Sequence, residues 1–403
     1  PYFGKSVRWP AIPKSFIEDV LRACSKYGLK AALDVHTLPG GTSIGTFSGV
    51  WPQWPRFWID GDVPSTDLGV GKNKKNLGHE LFAELVEWME DLAERDPDAF
   101  DGLRGLSPMN EPAHLAGLFG GSHPDPEKNF LPPLPPGLAE EYLEELTSLA
   151  YSPTNSTKIP DGTHLRVFYW FKGAIEIFRK SKLPSLGKQL HANIIESIIA
   201  KEYVPGDSDD DKSDGAKRPD ALKIIASWWC SESTTSHHER SDWAVLDAHH
   251  YHAWESACQG TVDGQDAAYA CGDVEGRQKV LETCVEWSPT FRGVVDEECG
   301  TGAQLMSAEF SASSHHSVRH ACNDVSNLKQ SYLMQVEAAR AADVELFYWS
   351  YHMPNGGNFR RAWSFQHLMY LMGVLDRPDD PMFGCNDHVA DSDEPNDDVF
   401  QPE

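Results

Sequence analysis

Two glutamates stand at the ends of short apolar runs. Glu111 follows Leu103-Arg104-Gly105-Leu106 in the stretch Ser107-Pro108-Met109-Asn110-Glu111-Pro112. Glu298 follows Val294-Val295 in Asp296-Glu297-Glu298-Cys299-Gly300. Other apolar runs end in Asp34-Val35-His36, in His249-His250-Tyr251 and in Trp349-Ser350-Tyr351. Two carboxylates with histidines, a tyrosine, an asparagine and a tryptophan suit the cleavage of a glycosidic bond. One carboxyl must be protonated to donate to the leaving oxygen, and the other ionised to attack or to activate water. Asn110 can donate to a sugar hydroxyl, and Pro112 fixes the chain as it leaves the run. This chemistry calls for no cofactor. The pairs His237-His238 and His315-His316 lack the i, i+4 spacing of helical metal ligands and are expected on the surface.

Such residues need elements to position them. Helical periodicity marks Ser15–Tyr27, where Phe16, Val20, Leu21 and Cys24 share a face, and also Leu77–Leu92, Leu165–Phe178, Ala221–Cys230, Arg277–Trp287, Leu328–Ala342 and Trp363–Leu375. Strands are expected at Leu29–Val35, Leu103–Met109, Gln189–Ile195, Trp243–Tyr251, Arg292–Glu298 and Val344–Tyr351. This alternation argues for parallel βα units and an α/β fold, most of a (β/α)8 barrel, with reactive groups at the C-terminal ends of the strands. One catalytic barrel is expected over residues 1–385, interrupted by a charged loop at 205–220 and followed by an acidic tail at 386–403. A Pro-rich loop includes Leu131–Gly137.

Composition narrows the partners. Of 403 residues, 61 are Asp or Glu and 35 are Lys or Arg, a net charge of −26 that repels nucleic acid and anionic membranes. A neutral oligosaccharide or polysaccharide is compatible. No apolar run is long enough to span a bilayer. The 13 tryptophans serve a core or a sugar-stacking surface. The aromatic cluster Trp51, Trp54, Phe57 and Trp58 is read as such a platform. Eight cysteines and the sequon Asn155-Ser156-Thr157 point to disulfides and to a secreted, extracellular or cell-wall location.

Taken in order, Asn110-Glu111-Pro112, His36 in LDVHTLPGG, His249–Tyr251 in LDAHHYHAW, Glu298 in VVDEECGTG and Trp349 in LFYWSYH resemble glycoside hydrolase family 5. Within it they are most similar to the fungal exo-β-1,3-glucanase branch, and the resemblance extends over nearly the whole chain. It implies a retaining double displacement in a TIM barrel on β-glucan, with Glu111 as acid/base and Glu298 as nucleophile. His36, Asn110, His249 and Tyr251 would orient the sugar or the nucleophile, and Trp349 would floor the −1 subsite. Phe47 and Trp254 match positions where that branch clamps the +1 sugar with aromatic rings. Retention implies carboxyl groups about 5–5.5 Å apart. Other members of the family cut β-1,4-glucan, β-1,6-glucan or mannan, and a non-catalytic glucan-binding protein is the reading from another class.

The chain departs from the family pattern in two places. The nucleophile motif usually reads G-E-F-G or G-E-W-S, whereas Asp296-Glu297-Glu298-Cys299-Gly300 stands at the position assigned to it. The strand ending at His36 corresponds to the family's third, so its first two βα units, and the Arg carried by the second, are expected to be missing.

Overall fold

The protein is described by a computed structural model covering residues 12–38, 77–111, 166–194, 221–253, 261–262, 265–266, 274–313, 324–353 and 358–376. Phe47, Trp254, the 51–58 aromatic cluster, the sequon, the 131–137 and 205–220 loops, His315-His316 and the acidic tail lie outside the described residues. The chain divides into two compact units, Pro1–Asp247 with Val294–Gln304, and Ala248–Gly293 with Leu305–Glu403.

The first unit runs α1 (Lys14–Lys26), β1 (Ala31–Asp34), α2 (Leu77–Arg95), α3 (Pro97–Gly102), β2 (Leu103–Ser107), α4 (Arg166–Lys180), β3 (Gln189–Asn193), α5 (Ala221–Cys230), α6 (His237–Asp242) and β4 (Ala244–Asp247). Its strands pair in parallel and in chain order, with Leu33 opposite Leu106, Leu106 opposite Leu190, and Leu190 opposite Ala244. β4 is buried along its whole length, as expected of a parallel strand covered on both faces. Asp96 caps α3 by accepting from Ala99 N–H, with Pro97 in the first turn. At Gly102 any Cβ would overlap the Leu21 carbonyl, so only glycine lets α3 lie this close to α1. The buried side of α1 is centred on Leu21; Phe16 and Val20, expected on the same face, are exposed.

Trp170, Trp228 and Trp229 are fully buried, and Phe168 stacks on Trp228 at 4.3 Å. Much of the tryptophan surplus among the described residues is therefore core.

Further along the chain lie a short hairpin, β5 (Thr261–Val262) and β6 (Gln265–Asp266), then α7 (Val274–Val285), α8 (Trp287–Cys299), β7 (Gln304–Phe310), α9 (Val325–Ala341), β8 (Val344–Tyr348), α10 (Asn358–Trp363) and α11 (Phe365–Leu371). β7 and β8 pair in parallel. β1 to β4 run parallel and in chain order in the first unit, and β7 pairs with β8 in the second, so the expected α/β alternation is present. Among the described residues no helix is long and apolar enough to cross a membrane.

One expected strand is a helix. Arg292–Glu298 lies inside α8, where Ser288, Phe291 and Val295 are buried at helical spacing. Gly300, at φ 74°, ends it and donates N–H to Asp296 O. The strand that follows in the chain is β7, whose own glutamate, Glu309, lies eleven residues beyond Glu298.

Candidate active site

β2 ends at Ser107 and the chain turns through Pro108 and Met109 to Asn110 and Glu111. Both are buried, at 1% and 6% exposure. Asn110 N–H donates to Val35 O at 3.1 Å, which ties it to the strand carrying His36. His36 Nδ1 lies 2.8 Å from Asp34 Oδ2, two residues back on the same strand face. An ionised carboxylate only accepts, so Nδ1 is the protonated nitrogen there. Glu111 N–H donates to Asn193 Oδ1 at 2.8 Å, and Asn193 Nδ2 donates to Asp247 Oδ2 at 3.2 Å. Asn193 ends β3 and Asp247 ends β4, and neither was singled out from the sequence. The first unit thus places Glu111 in a buried polar network built from strand ends.

The second unit builds its own constellation. Glu309 lies near the end of β7, 7% exposed. Tyr251 OH donates to Glu309 Oε2 at 2.6 Å, and His249 Nδ1 lies 3.6 Å from the same oxygen. The intervening His250 turns the other way and stacks on Trp287 at 4.2 Å, with His252 edge-on at 5.4 Å. Alternation along the extended chain separates the two pairs: His249 and Tyr251 address the carboxylate, whereas His250 and His252 enter the core. Burial pushes both core histidines down, His250 well below its usual range and His252 to about 4, so both are neutral there. Trp349 follows β8, is 38% exposed, donates N–H to Phe310 O at 2.8 Å and precedes a cis peptide to Ser350. Its half-open ring suits a platform.

Glu298 does not occupy a strand end. It sits in the last turn of α8, accepts from Ser227 Oγ at 3.0 Å and lies 3.8 Å from Lys223 Nζ. The next residue, Cys299, is disulfide-bonded to Cys230 at the end of α5, with Cα atoms 4.9 Å apart. The side chain is committed to an α5–α8 surface contact, so the strand-end role expected of it is corrected. The glutamate near a strand end in this part of the chain is Glu309 on β7. Phe47 and Trp254 remain outside the described residues.

No family model and no curated protein sequence matches the chain.

Proposed function

We propose that the chain is a retaining glycoside hydrolase with a (β/α)8-type catalytic barrel, acting on β-glucan with Glu309 as nucleophile and Glu111 as acid/base. The observation that carries this reading is the Tyr251–Glu309 hydrogen bond at the end of β7. A phenol donating to one carboxylate oxygen favours the ionised form and holds its plane. In the first step Glu309 Oε1 bonds to the anomeric carbon as the C1–O bond breaks, and the Glu111 carboxyl gives its proton to the leaving oxygen. In the second step Glu111 takes a proton from water, which attacks C1 and frees Glu309. The two inversions return the β configuration.

His36 and Asn110 are proposed to hold the sugar hydroxyls, and Trp349 to floor its apolar face. The lean toward β-1,3-glucan rests on the resemblance of the LDVHTLPGG segment, and a surface of net charge −26 is compatible with a neutral polymer. The Cys230–Cys299 disulfide supports a secreted, extracellular setting.

Incubation with laminarin, barley glucan, cellulose oligomers and mannan tests the reading. Glucose released from laminarin, first as the β anomer by proton NMR, is the expected result. Product from another polymer moves the substrate, and release of the α anomer contradicts the mechanism. Binding of laminari-oligosaccharide with no product over long incubation contradicts the enzymatic reading.

A further inference from the structure

The backbone of Glu111 has φ 38°, in the left-handed region that glutamate rarely adopts. Its successor is Pro112, whose ring steers the preceding residue toward extended backbone. The local sequence therefore does not favour this conformation, and such a φ persists where surrounding contacts over-determine it. A buried contact that addresses the Glu111 backbone directly is the 2.8 Å hydrogen bond from its N–H to Asn193 Oδ1.

That acceptor is itself oriented. Asn193 is 1% exposed, and its Nδ2 donates to Asp247 Oδ2 at 3.2 Å. A carboxylate accepts only, so Asp247 fixes the amide with nitrogen on its own side and oxygen toward Glu111. The flipped amide would set its NH2 against the Glu111 N–H and its oxygen against a carboxylate. We infer that Asn193, aligned by Asp247, is a positioning residue that holds Glu111 in its left-handed conformation and so sets where the Glu111 carboxyl is delivered. This rests on the reading of Glu111 as acid/base. Asn193 acts through Glu111, so its loss falls on the step that needs a proton rather than on every step alike.

The test compares phenyl β-glucoside, whose leaving group needs protonation, with 2,4-dinitrophenyl β-glucoside, whose leaving group does not. In Asn193→Ala, kcat/KM for the phenyl glycoside is expected to fall about 100-fold, the effect of a displaced catalytic group, with the dinitrophenyl glycoside little changed. The basic limb of the pH profile, which reports the acid, flattens with it. Asp247→Ala, which frees the amide to flip, gives the same pattern and serves if Asn193→Ala does not fold. Equal losses on both substrates, or no loss on either, overturn the inference. Should the wild-type protein cleave neither glucoside nor any of the four polymers, the glycosidase reading fails, and crystal structures decide the positioning claim separately. Movement of Glu111 out of positive φ in either variant supports it; an unchanged φ overturns it.

Discussion

Tyr251 OH and Glu309 Oε2 are 2.6 Å apart, with the His249 ring 3.6 Å from the same oxygen. A carboxylate held by two such groups is restrained in plane and in charge, which is what a nucleophile requires of its surroundings. Removing the phenol should therefore reduce turnover without abolishing it. A charge-assisted hydrogen bond contributes about 1.5–3 kcal/mol, so Tyr251→Phe is expected to lower kcat about 10–100-fold on aryl β-glucosides. Steady-state kinetics on the purified variant, with circular dichroism as a fold control, checks this.

The two candidate nucleophiles separate cleanly. Glu309→Gln is expected to lose activity by about 10⁴-fold or more, as removal of a nucleophile does. Glu298→Gln is expected to keep wild-type turnover and to lose less than about 1 kcal/mol of stability, since its partners are a serine hydroxyl and a lysine that is largely exposed. Parallel assays and urea melts of both variants decide between the assignments.

Most elements were legible because their periodicity agreed with their tertiary setting. α5 matches its expected bounds, and β2, β3 and β8 begin where the sequence places them. The failure at Arg292–Glu298 has a physical cause. Val294-Val295 flanked by polar residues is too short to distinguish strand from helix, and the deciding features, Pro289 early in the helix and Gly300 after it, lie outside the run. β7 was obscured in the complementary way. Its buried positions include Ser307 and Glu309, so it shows neither a continuous apolar run nor a clean alternation. Asn193 and Asp247 were invisible for another reason: a polar residue at a strand end declares its role only when its partner's backbone is known.

The disulfide gives a stability prediction. Cys230 and Cys299 are 69 residues apart in sequence, and chain-entropy arguments for a loop of that size give about 4 kcal/mol. Replacing both by Ala should lower the unfolding free energy by about that amount, read from urea denaturation of the oxidised wild type and the variant. Hydrolysis at low temperature should survive, because the two cysteines end helices α5 and α8 and not the strands that carry the proposed chemistry.

Acid sensitivity should trace to the core histidines. His252 is 3% exposed, and burial pushes it from the ordinary 6.5 to about 4. Its folded pKa lies below its unfolded one, so the unfolded chain takes up a proton first as pH falls. The stability is fully present above pH 6.5 and is lost progressively down to about pH 4, by roughly 3 kcal/mol. His250, pushed down by burial and by His252 beside it, acts in the same direction. Urea midpoints at pH 7, 5.5 and 4.5 should fall more steeply for the wild type than for His252→Phe, which removes the titrating group.

Glu309 is proposed to form the covalent bond to the sugar. This is tested most directly by trapping the intermediate with 2-deoxy-2-fluoro-β-glucosyl fluoride and locating the label by peptide mass spectrometry. A fluoroglucosyl ester on Glu309, released slowly as the enzyme turns over, is the expected result. A label on Glu298 or another residue, or turnover of β-glucan with no label at all, would contradict it.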